Sequence, residues 1–429
     1  MSTERMTLMK EKIKIGYIGL GRRGSYVLRK CFAMMKDVEV KYICDLSSEN
    51  LEKSANDVFE NSNVRPVMTK DYHDMLSDPE VDAIVVMTGW SGRPAIAIEA
   101  MRAGKYCAIE VGCSDTLEEC FDLVKAYEET GVPVMMLENC CYGRRELAVL
   151  NLVKQGLFGE TVHATGGYMH YLNDVELFKD IENDNVKHYR LDYYINNNRE
   201  SYPTHELGPI SKALSINRGN RMVRLNCITS KSVGLKDYAN TKLGPDSKYS
   251  KMDYKQSDVV TTLITCANGE TIQLTLDTTL PRAHYSRNFS IRGTKGMSNE
   301  DSKVIYLEGM EEPVRDNEEE MFKKYDHPIH IEYEKAQKMG GHGGIDWLVC
   351  RAFVESVKAG IDTPIDAYDT ATWLCIGALT ELSIAQNGAP VDVPDFTGGK
   401  WQNREPAPRQ KYSLDEVVDD PNTPIIPVG

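Results

Sequence analysis

The sequence lacks the features of a membrane protein and of a nucleic-acid-binding protein. It has no run of about 18 consecutive apolar residues, which a membrane-spanning helix would need. Residues 1–12 are polar and contain no apolar core of a signal peptide. The formal net charge of the 429 residues is -14, whereas phosphate binding requires a basic surface. We therefore expect a cytoplasmic protein with no nucleic-acid or membrane partner.

The sequence also lacks the ligand spacing of a metal site. Its eleven cysteines are scattered, and several of them, such as Cys31, Cys44 and Cys107, lie in apolar segments. The adjacent Cys140 and Cys141 do not have the spacing of zinc ligands. The cysteines are therefore predicted to be buried free thiols rather than disulfides, and no metal is expected.

A glycine-rich turn between a predicted strand and a predicted helix is the most informative feature that is present. Residues 14–18 predict a buried strand, Gly-Leu-Gly-Arg-Arg-Gly follows at 19–24, and residues 25–35 have a helical period. A second strand at 38–44 leads into Asp45, about 20 residues after the last glycine. A plain tight turn would not need the strand, the helix and the acid together, so this order predicts a dinucleotide-binding fold.

Each residue of this turn has a physical role in such a fold. Gly19 permits the tight turn, Gly21 lets the backbone approach a pyrophosphate, and Gly24 lets helix and strand pack closely. The amides at the helix N-terminus favour negative charge. Asp45 would accept hydrogen bonds from the adenosine ribose and repel a 2′-phosphate, which favours NAD over NADP. The predicted cofactor contacts in this segment are Gly19, Gly21, Arg22, Arg23, Gly24 and Asp45.

The order of predicted elements indicates an α/β protein with two main domains. Strands and helices alternate up to residue 139, which predicts a Rossmann dinucleotide-binding domain over 1–139. The following segment, 140–399, is predicted to be an α+β domain with an open, largely antiparallel sheet, and 400–429 an extended C-terminal arm. Strands of the second domain are predicted at 162–171, 223–230, 259–266, 271–277 and 288–292. Its helices are predicted at 204–215, 345–358 and 367–387, and an acidic, solvated helix start at 316–320.

Polar residues that follow the strands of the first domain are candidates for the ligand crevice. Ligands in such folds bind outside the carboxyl ends of the strands, and strands are predicted at 83–87, 106–109 and 133–137. The residues that follow them and would rim the nicotinamide are Thr88, Trp90, Glu110, Glu138 and Asn139. The alternatives are a half-buried packing residue for Trp90 and a surface carboxylate for Glu138.

A second set of candidates surrounds the start of the predicted helix at 204. Arg190, Tyr202 and His205 cluster there, with Thr204 as a plausible cap. The helix N-terminus would keep the His205 imidazole neutral, as a general base must be. A structural histidine is the alternative for His205.

Two further residues stand out by their local sequence. Four glycines surround His342 within 340–344, which suits a loop that approaches a substrate, although a hinge with an incidental histidine is the alternative. Tyr168 lies in the middle of a predicted strand, where a core position is the alternative.

These motifs together resemble a known group of enzymes. GLGRRG, the acid after the second strand and the strand-rich second domain are similar to the Gfo/Idh/MocA oxidoreductases. Within that group, LENCCYGRRELAVLNLV, YPTHELGP, TTLPRAHYSRNFSIRGTKG and GGHGG resemble glycoside hydrolase family 109, the NAD-dependent α-N-acetylgalactosaminidases. The sequence departs from that family at Glu206, where glycine is usual, at Met339, and at Gly92 and Arg93, where a histidine is absent. These departures leave open a substrate preference other than N-acetylgalactosamine.

The resemblance implies a redox-assisted elimination with tightly bound, recycled NAD. NAD+ takes hydride from C3 of the sugar, the C2 proton is removed, the group on C1 leaves, water adds, and the hydride returns. By position in the motifs, Tyr168 corresponds to the C2 base, His205 would receive the 3-hydroxyl proton, and His342 would protonate the leaving oxygen. Arg190 is expected to lower the pKa of the phenol. The implied substrate contacts are Glu138, Arg190, Tyr202 and Tyr285.

Two other functions remain open from the sequence. A sugar or inositol dehydrogenase that releases NADH is one, but residues 110–112 are Glu-Val-Gly, where sugar dehydrogenases of the superfamily carry Glu-Lys-Pro. A non-catalytic NAD-binding sensor is the other. In each case the expected partners are a small molecule, a glycoside for the hydrolase, and further copies of the chain in a homo-oligomer. An elimination route is less tied to one anomer than displacement, so both α- and β-hexosides are plausible substrates.

Overall fold

The computed structural model describes residues 9–179, 181, 188–330, 335–338 and 341–417. These residues form two sheets, one of six strands and one of eight. In this part of the chain no helix is long and apolar enough to cross a membrane. Met339 and Gly340 lie outside the described residues.

The first sheet has the order of a dinucleotide-binding fold. Its strands are β1 (Ile13–Ile18), β2 (Val38–Cys44), β3 (Val67–Thr69), β4 (Ala83–Val86), β5 (Tyr106–Ile109) and β6 (Val134–Met136). They are paired in the order β3-β2-β1-β4-β5-β6, and every pair is parallel. All four residues of β4 are fully buried, as expected for a strand covered on both faces by helices. The predicted Rossmann fold is confirmed.

The helices of this half lie between its successive strands. They are α1 (Arg22–Lys30), α2 (Ser48–Ser62), α3 (His73–Ser77), α4 (Arg93–Arg102) and α5 (Leu117–Thr130). Thr116 and Glu119 form a reciprocal capping box that fixes the start of α5. The helix predicted at 25–35 is shorter than expected, because α1 ends at Lys30 and a 3₁₀ turn, Phe32–Met34, follows.

The second sheet carries the other half of the site. Its strands are β7 (Thr161–Met169), β8 (Met222–Thr229), β9 (Val259–Cys266), β10 (Thr271–Asp277), β11 (Ser290–Gly293), β12 (Gly296–Asn299), β13 (Val304–Leu307) and β14 (Val391–Asp392). Their order is β13-β12-β11-β7-β10-β9-β8-β14, with all neighbours antiparallel except β7 and β10. The sequence predicted the five central strands but not β12, β13 and β14, which are short.

Several helices of the second half contact this sheet. They are α6 (Arg144–Lys154), α7 (Tyr189–Asn196), α8 (Thr204–Ala213), α9 (Gly234–Leu243), α10 (Glu318–Tyr325), α11 (Ile345–Ala359) and α12 (Ala367–Ala385). The core continues through α8 and α12, since Leu207, Ile210 and Trp373 are buried there. The short helices α7 and α9 were not predicted.

The structure bears on two predictions about the surface, the acidic helix start at 316–320 and the C-terminal arm, and the first of them is wrong. The acidic helix start at 316–320 begins α10 at Glu318, but Glu318 is buried in an ion pair with Arg145 rather than solvated. The described part of the C-terminal arm packs on its own subunit, where Asp415 pairs with Lys212 at 3.0 Å and with Arg218 at 2.8 Å. Residues 418–429 lie outside the described residues. The domain boundaries at 139 and 399 stay predictions.

The prediction about the cysteines is confirmed. All eleven are free thiols, and all eleven are buried. They act as small apolar residues in the cores around both sheets.

Candidate active site

A cavity between the two sheets brings together residues from distant parts of the sequence. Its volume is about 570 Å³. The predicted site residues that line it are Asn139, Tyr168, His205, Tyr285 and His342. Asn139 follows β6 and Tyr168 lies near the end of β7, so the cavity lies beside the ends of these two strands, which is where ligands bind in open α/β sheets. Glu138, Tyr202 and Arg190 lie behind the lining residues rather than on the surface of the cavity.

The glycine turn has the space that a dinucleotide needs. Gly19 has a φ of +91°, in the left-handed region that favours glycine. A Cβ atom on Gly24 would lie 2.1 Å from the Gly19 carbonyl oxygen, whereas one on Gly21 would meet nothing within 4 Å. The open space beside Gly21 fits a pyrophosphate at the N-terminus of α1.

Asp45 holds this turn from the end of β2. Its Oδ2 accepts a hydrogen bond from the Leu20 amide at 2.6 Å, and its Oδ1 accepts one from the Ser47 amide at 2.8 Å. The carboxylate is half-buried, so one edge stays accessible. Its contact with the adenosine ribose stays a prediction.

Alanine substitutions at two glycines are expected to separate cofactor binding from folding. Gly24→Ala should lower the melting temperature by several degrees, because the new methyl group clashes with the Gly19 carbonyl. Gly21→Ala should leave the melting temperature unchanged, since its φ of -61° suits any residue, and should weaken NAD binding at least about tenfold by obstructing the pyrophosphate. Thermal unfolding and a fluorescence titration with NAD measure the two effects. Unchanged NAD affinity in Gly21→Ala would contradict this use of the turn.

The two arginines of the turn have different surroundings. Arg22 Nη1 donates to the Val175 carbonyl at 2.8 Å. Arg23 reaches across to α11, where its Nη1 and Nη2 donate to Asp346 at 2.7 and 2.8 Å. Arg23 thus connects the glycine turn to the loop that carries His342.

Asp346 organises this side of the cavity, and sequence reasoning missed it. The side chain is fully buried, and its Oδ2 lies 2.8 Å from His342 Nδ1 while its Oδ1 accepts a hydrogen bond from Asn139 Nδ2 at 2.7 Å. Burial would raise the pKa of Asp346, but hydrogen bonds from Arg23 and His342 hold it well below its usual range. The spacing of four residues between His342 and Asp346, at a helix start, was the signal available in the sequence.

His342 itself is positioned by an unusual backbone. It has a φ of +49°, and Gly343 and Gly344 follow with φ of +69° and +102°. Only a glycine-rich segment adopts three such residues in succession without large strain. The imidazole side chain is 62% exposed toward the cavity mouth, and its contact with Asp346 leaves Nε2 available.

The residues after β4 and β5 form a packed wall. Trp90 is buried, with its ring 4.9 Å from that of Tyr193 and 6.0 Å from that of Tyr202. Arg93 closes the ends of both strands by donating to the carbonyls of Glu110, Val111 and Thr88. Among these residues, Thr88 is half-buried and Glu110 is buried. The structure therefore places Trp90 in a packing role, and a nicotinamide contact for Thr88, Trp90 and Glu110 stays a prediction.

Glu138 and His205 form a pair at the base of the cavity. Glu138 is fully buried, so the surface-carboxylate interpretation is wrong, and its Oε1 lies 3.0 Å from His205 Nδ1. The same oxygen accepts a hydrogen bond from the Cys140 amide at 3.0 Å. Burial would raise the pKa of Glu138, but the charge and hydrogen bond of His205 lower it below the ordinary value. A carboxylate on Nδ1 fixes the tautomer in which Nε2 accepts a proton.

Tyr168 lies at the end of β7 inside an aromatic cluster. Its ring is 4.4 Å from that of Tyr202 and 5.4 Å from that of His205. The Arg190 guanidinium lies 5.8 Å from the Tyr168 ring and 4.9 Å from the Tyr202 ring. Burial raises the pKa of Tyr168 well above 10, and Arg190 offsets only part of this rise. Arg190 thus lowers the pKa of the phenol, as expected, but burial outweighs its effect.

Arg190 forms an ion pair with Glu176, a residue that was not selected from the sequence. The Arg190 side chain is buried and pairs with Glu176 at 3.3 Å, and its guanidinium lies 5.2 Å from the Trp90 ring. Its charge is thus shared between a carboxylate and several aromatic faces. Direct substrate contacts by Arg190 and Tyr202 stay predictions.

The sequence of this chain is similar to known proteins over almost its whole length. A family model described as "Glycosyl hydrolase 109, C-terminal domain" matches residues 142–403, and one described as "Oxidoreductase family, NAD-binding Rossmann fold" matches residues 13–138. The chain is 36% identical over 420 residues to an alpha-N-acetylgalactosaminidase of Tannerella forsythia, covering 92% of this chain and 88% of that protein. The chain belongs to glycosyl hydrolase family 109.

Other family 109 proteins are equally similar. One from Stenotrophomonas maltophilia (strain K279a) is 37% identical over 419 residues, covering 92% of this chain and 91% of that protein. Family 109 membership and the NAD-binding match together make the protein an NAD-dependent glycosidase.

Solved structures of dehydrogenases share the fold with this family 109 member. Levoglucosan dehydrogenase in complex with NADH and levoglucosan has a TM-score of 0.66 at 18% identity, covering 90% of this chain and 100% of that chain. The scyllo-inositol dehydrogenase of Lactobacillus casei has a TM-score of 0.62 at 15% identity, covering 90% of this chain and 99% of that chain. At these low identities, the similarity shows that the fold is shared. It gives no information about the reaction.

Glu206, where family 109 usually has glycine, is part of a buried charge network. Its side chain is fully buried against Gly166, with Oε1 at 3.1 Å from Arg287 Nη1. Arg287 Nη2 also lies 2.7 Å from Glu146 Oε1, and both Arg287 and Glu146 line the cavity. Glu206 therefore forms an ion pair with Arg287 on the side away from the cavity. Arg287 lies in the same loop as Tyr285 and lines the cavity.

Among the residues that the structure describes, one group of three side chains has the atoms of a metal site. Ligand atoms of Glu138, Cys140 and His205 lie within 4.8 Å of one another. Because His205 is far from Cys140 in the sequence, ligand spacing along the chain could not reveal this proximity. Glu138 and His205 are paired directly with each other, and the expected absence of a metal stays a prediction.

Proposed function

We propose that this enzyme cleaves hexosides, including hexosaminides, by oxidation at C3, elimination across C1 and C2, addition of water and reduction, with NAD retained throughout. The observation that carries the proposal is that three candidate proton-transfer groups line one cavity. Each of them has a hydrogen-bond partner: Glu138 for His205, Asp346 for His342, and His170 for Tyr168. A direct displacement would not need three such groups.

The residues that would hold the cofactor are those of the glycine turn and Asp45, whose open space fits a dinucleotide. When bound, the nicotinamide supplies a hydride acceptor and donor, so no external oxidant is consumed in a full cycle. Arg23 and Asn139, joined through Asp346, would fix the wall between the cofactor and the sugar.

Proton transfer is divided among the three groups. His205 Nε2 would accept the proton of the 3-hydroxyl as that carbon is oxidised, while Glu138 stabilises the imidazolium that forms. The ketone at C3 acidifies the proton on C2, and Tyr168 would remove it. His342, at the exposed mouth, would give a proton to the oxygen that leaves C1 and then take one from the water that replaces it.

The substrate range follows from the elimination. The bond to C1 breaks from an intermediate with no need for attack on a particular face, so both anomers are substrates in this proposal. The relative from Tannerella forsythia is named an alpha-N-acetylgalactosaminidase, and N-acetylgalactosaminides are therefore included. Glu206 behind Arg287 changes the wall on the Tyr285 side, which supports a preference that differs from that of relatives with glycine.

A screen of nitrophenyl glycosides tests the proposal. Both anomers of galactose, glucose and their N-acetyl forms are incubated with the enzyme in D₂O and no added NAD. We expect nitrophenol release from both anomers of at least one sugar and deuterium at C2 of the product, because the C2 proton exchanges with solvent. A product without deuterium at C2 would exclude elimination. In a parallel assay with added NAD, net growth of absorbance at 340 nm with free sugar would favour a dehydrogenase.

A further inference from the structure

We propose that His170 is the proton relay of Tyr168: it accepts the phenol proton while the phenol oxygen takes the proton from C2 of the sugar. The proposal rests on the elimination proposed above and adds a residue to it. Its main observation is that the Tyr168 hydroxyl and His170 Nδ1 lie 2.9 Å apart. Both residues line the cavity.

The fold fixes this pair. Residues two apart on an extended strand point to the same side, so Tyr168 and His170 share the cavity face of β7 and its extension. The His170 amide donates to the Asp277 carbonyl at 2.9 Å, which continues the pairing of β7 with β10 by one residue. The hydrogen bond between the two side chains is therefore built into the sheet rather than left to a mobile loop.

The surroundings of Tyr168 create the need for such a partner. The phenol is buried, and burial raises its pKa well above 10 despite the nearby Arg190 guanidinium. The neutral phenol thus persists at neutral pH and holds its own proton. It can take a second proton from carbon only if a neighbouring base removes the first one at the same time.

His170 has the properties of that base. Its ring is half-buried, and burial lowers its pKa below 6.5, so the imidazole is neutral at neutral pH. The charged and titratable groups that face it are Tyr168, Glu176, Arg190, His205, Tyr285 and His342. The negative charge of Glu176 raises the pKa of His170, against the effect of burial, and would stabilise the imidazolium that forms during proton transfer. The position of the ring at the cavity wall lets the proton pass on to solvent.

The step is balanced in atoms and charge. The C2–H bond breaks, its electron pair stays on the sugar as the enolate of the C3 ketone, and the proton goes to the Tyr168 oxygen. The Tyr168 O–H bond breaks in the same step, and its proton goes to His170 Nδ1. The phenol is neutral before and after, the imidazole gains one positive charge and the sugar one negative charge.

Substitutions of His170 test the relay, with His163 as the matched control. In His170→Asn the amide oxygen can still accept the hydrogen bond from Tyr168 but cannot take its proton. We expect kcat and the rate of deuterium entry at C2 to fall about 100-fold, with KM changed less than about threefold. His170→Ala should lose as much, and added imidazole should restore part of the rate. His163→Asn, on the same strand with its ring on Thr271, should keep wild-type rates.

A spectroscopic readout separates a relay from a structural role. With ¹³C at Cζ of tyrosine, the Tyr168 signal should shift in His170→Ala and stay close to wild type in His170→Asn, where the hydrogen bond is kept. Wild-type kcat and C2 exchange in His170→Asn would overturn the relay while leaving the elimination intact. Absence of C2 exchange in the wild-type enzyme would instead overturn the elimination itself.

Discussion

Replacing His205 with alanine is expected to lower kcat by about 10²- to 10⁴-fold, the range for loss of a positioned general base. The same change should reduce the free energy of unfolding by about 3 kcal/mol, because Glu138 is fully buried and its carboxylate loses the hydrogen bond from His205 Nδ1. Steady-state kinetics on a nitrophenyl glycoside and chemical denaturation followed by circular dichroism measure the two effects.

The pH dependence of the free energy of unfolding tests whether the loss of stability in His205→Ala comes from Glu138. In the wild-type protein the pKa of Glu138 is lowered, so its pairing stabilises the fold above the unfolded pKa of about 4.5 and is lost as pH falls below it. In His205→Ala, burial without His205 should raise that pKa. The variant should then lose stability relative to wild type as pH rises from about 4.5 to 7, because deprotonation of an unpaired buried carboxyl is unfavourable.

Glu138→Gln in the same background is the control. The amide is of similar size and has no charge, so the double variant should regain most of the stability that His205→Ala loses at pH 7. It should not regain activity, because the proton acceptor is still missing. Equal stability of His205→Ala and wild type across this pH range would show that Glu138 does not depend on His205 for its charge.

Most of the first half of the fold was predictable because its signals there are local, although β3 (Val67–Thr69) was not predicted. The buried strands β1, β4, β5 and β6 are short apolar runs, and the glycine turn and Asp45 stand at fixed distances along the chain. In the second half, β12 and β13 are short and lie at the edge of the sheet. Their pairing depends on β11 and the turn after it, which periodicity over four residues cannot reveal.

The main groups of the candidate site were predictable from the sequence, whereas some of the side chains that contact them were not. Tyr168, His205 and His342 were selected from motifs, and the structure brings them to one cavity. Asp346 and Glu176 were not selected, since each is a single acid whose meaning comes only from the neighbour it meets in the fold. A candidate proton-transfer residue is visible in a sequence, whereas the group that sets its tautomer or pKa comes from folding.

The charge of the hydrogen-bond partner differs between the two histidines, His205 and His342, and Tyr168, and this difference has a physical reason. His205 and His342 each meet a carboxylate, which fixes Nδ1 and stabilises a positive ring. Tyr168 meets His170, and a carboxylate there would have raised the phenol pKa still further. In the proposed mechanism, each group therefore has a partner whose charge suits a proton transfer at neutral pH.

Replacing Tyr168 with phenylalanine is expected to lower kcat by about 10³-fold, within the range for loss of a positioned proton-transfer group, and to stop deuterium entry at C2 of the sugar. The variant keeps the ring that packs against Tyr202 and Arg190 and loses only the oxygen that takes the C2 proton. Its melting temperature should therefore stay close to that of wild type. Because His205 remains, oxidation at C3 should still proceed, and absorbance at 340 nm should rise to one equivalent of enzyme and then stop.

Tyr285→Phe is the matched comparison for this variant. Tyr285 lines the same cavity with its ring 6.0 Å from that of Tyr168, but the residue is 45% exposed whereas Tyr168 is buried. Loss of its hydroxyl should raise KM several-fold and leave C2 exchange intact. If Tyr168→Phe instead retained C2 exchange at the wild-type rate, another group would have to remove that proton, and His205 would be the first to examine because its ring lies 5.4 Å from that of Tyr168.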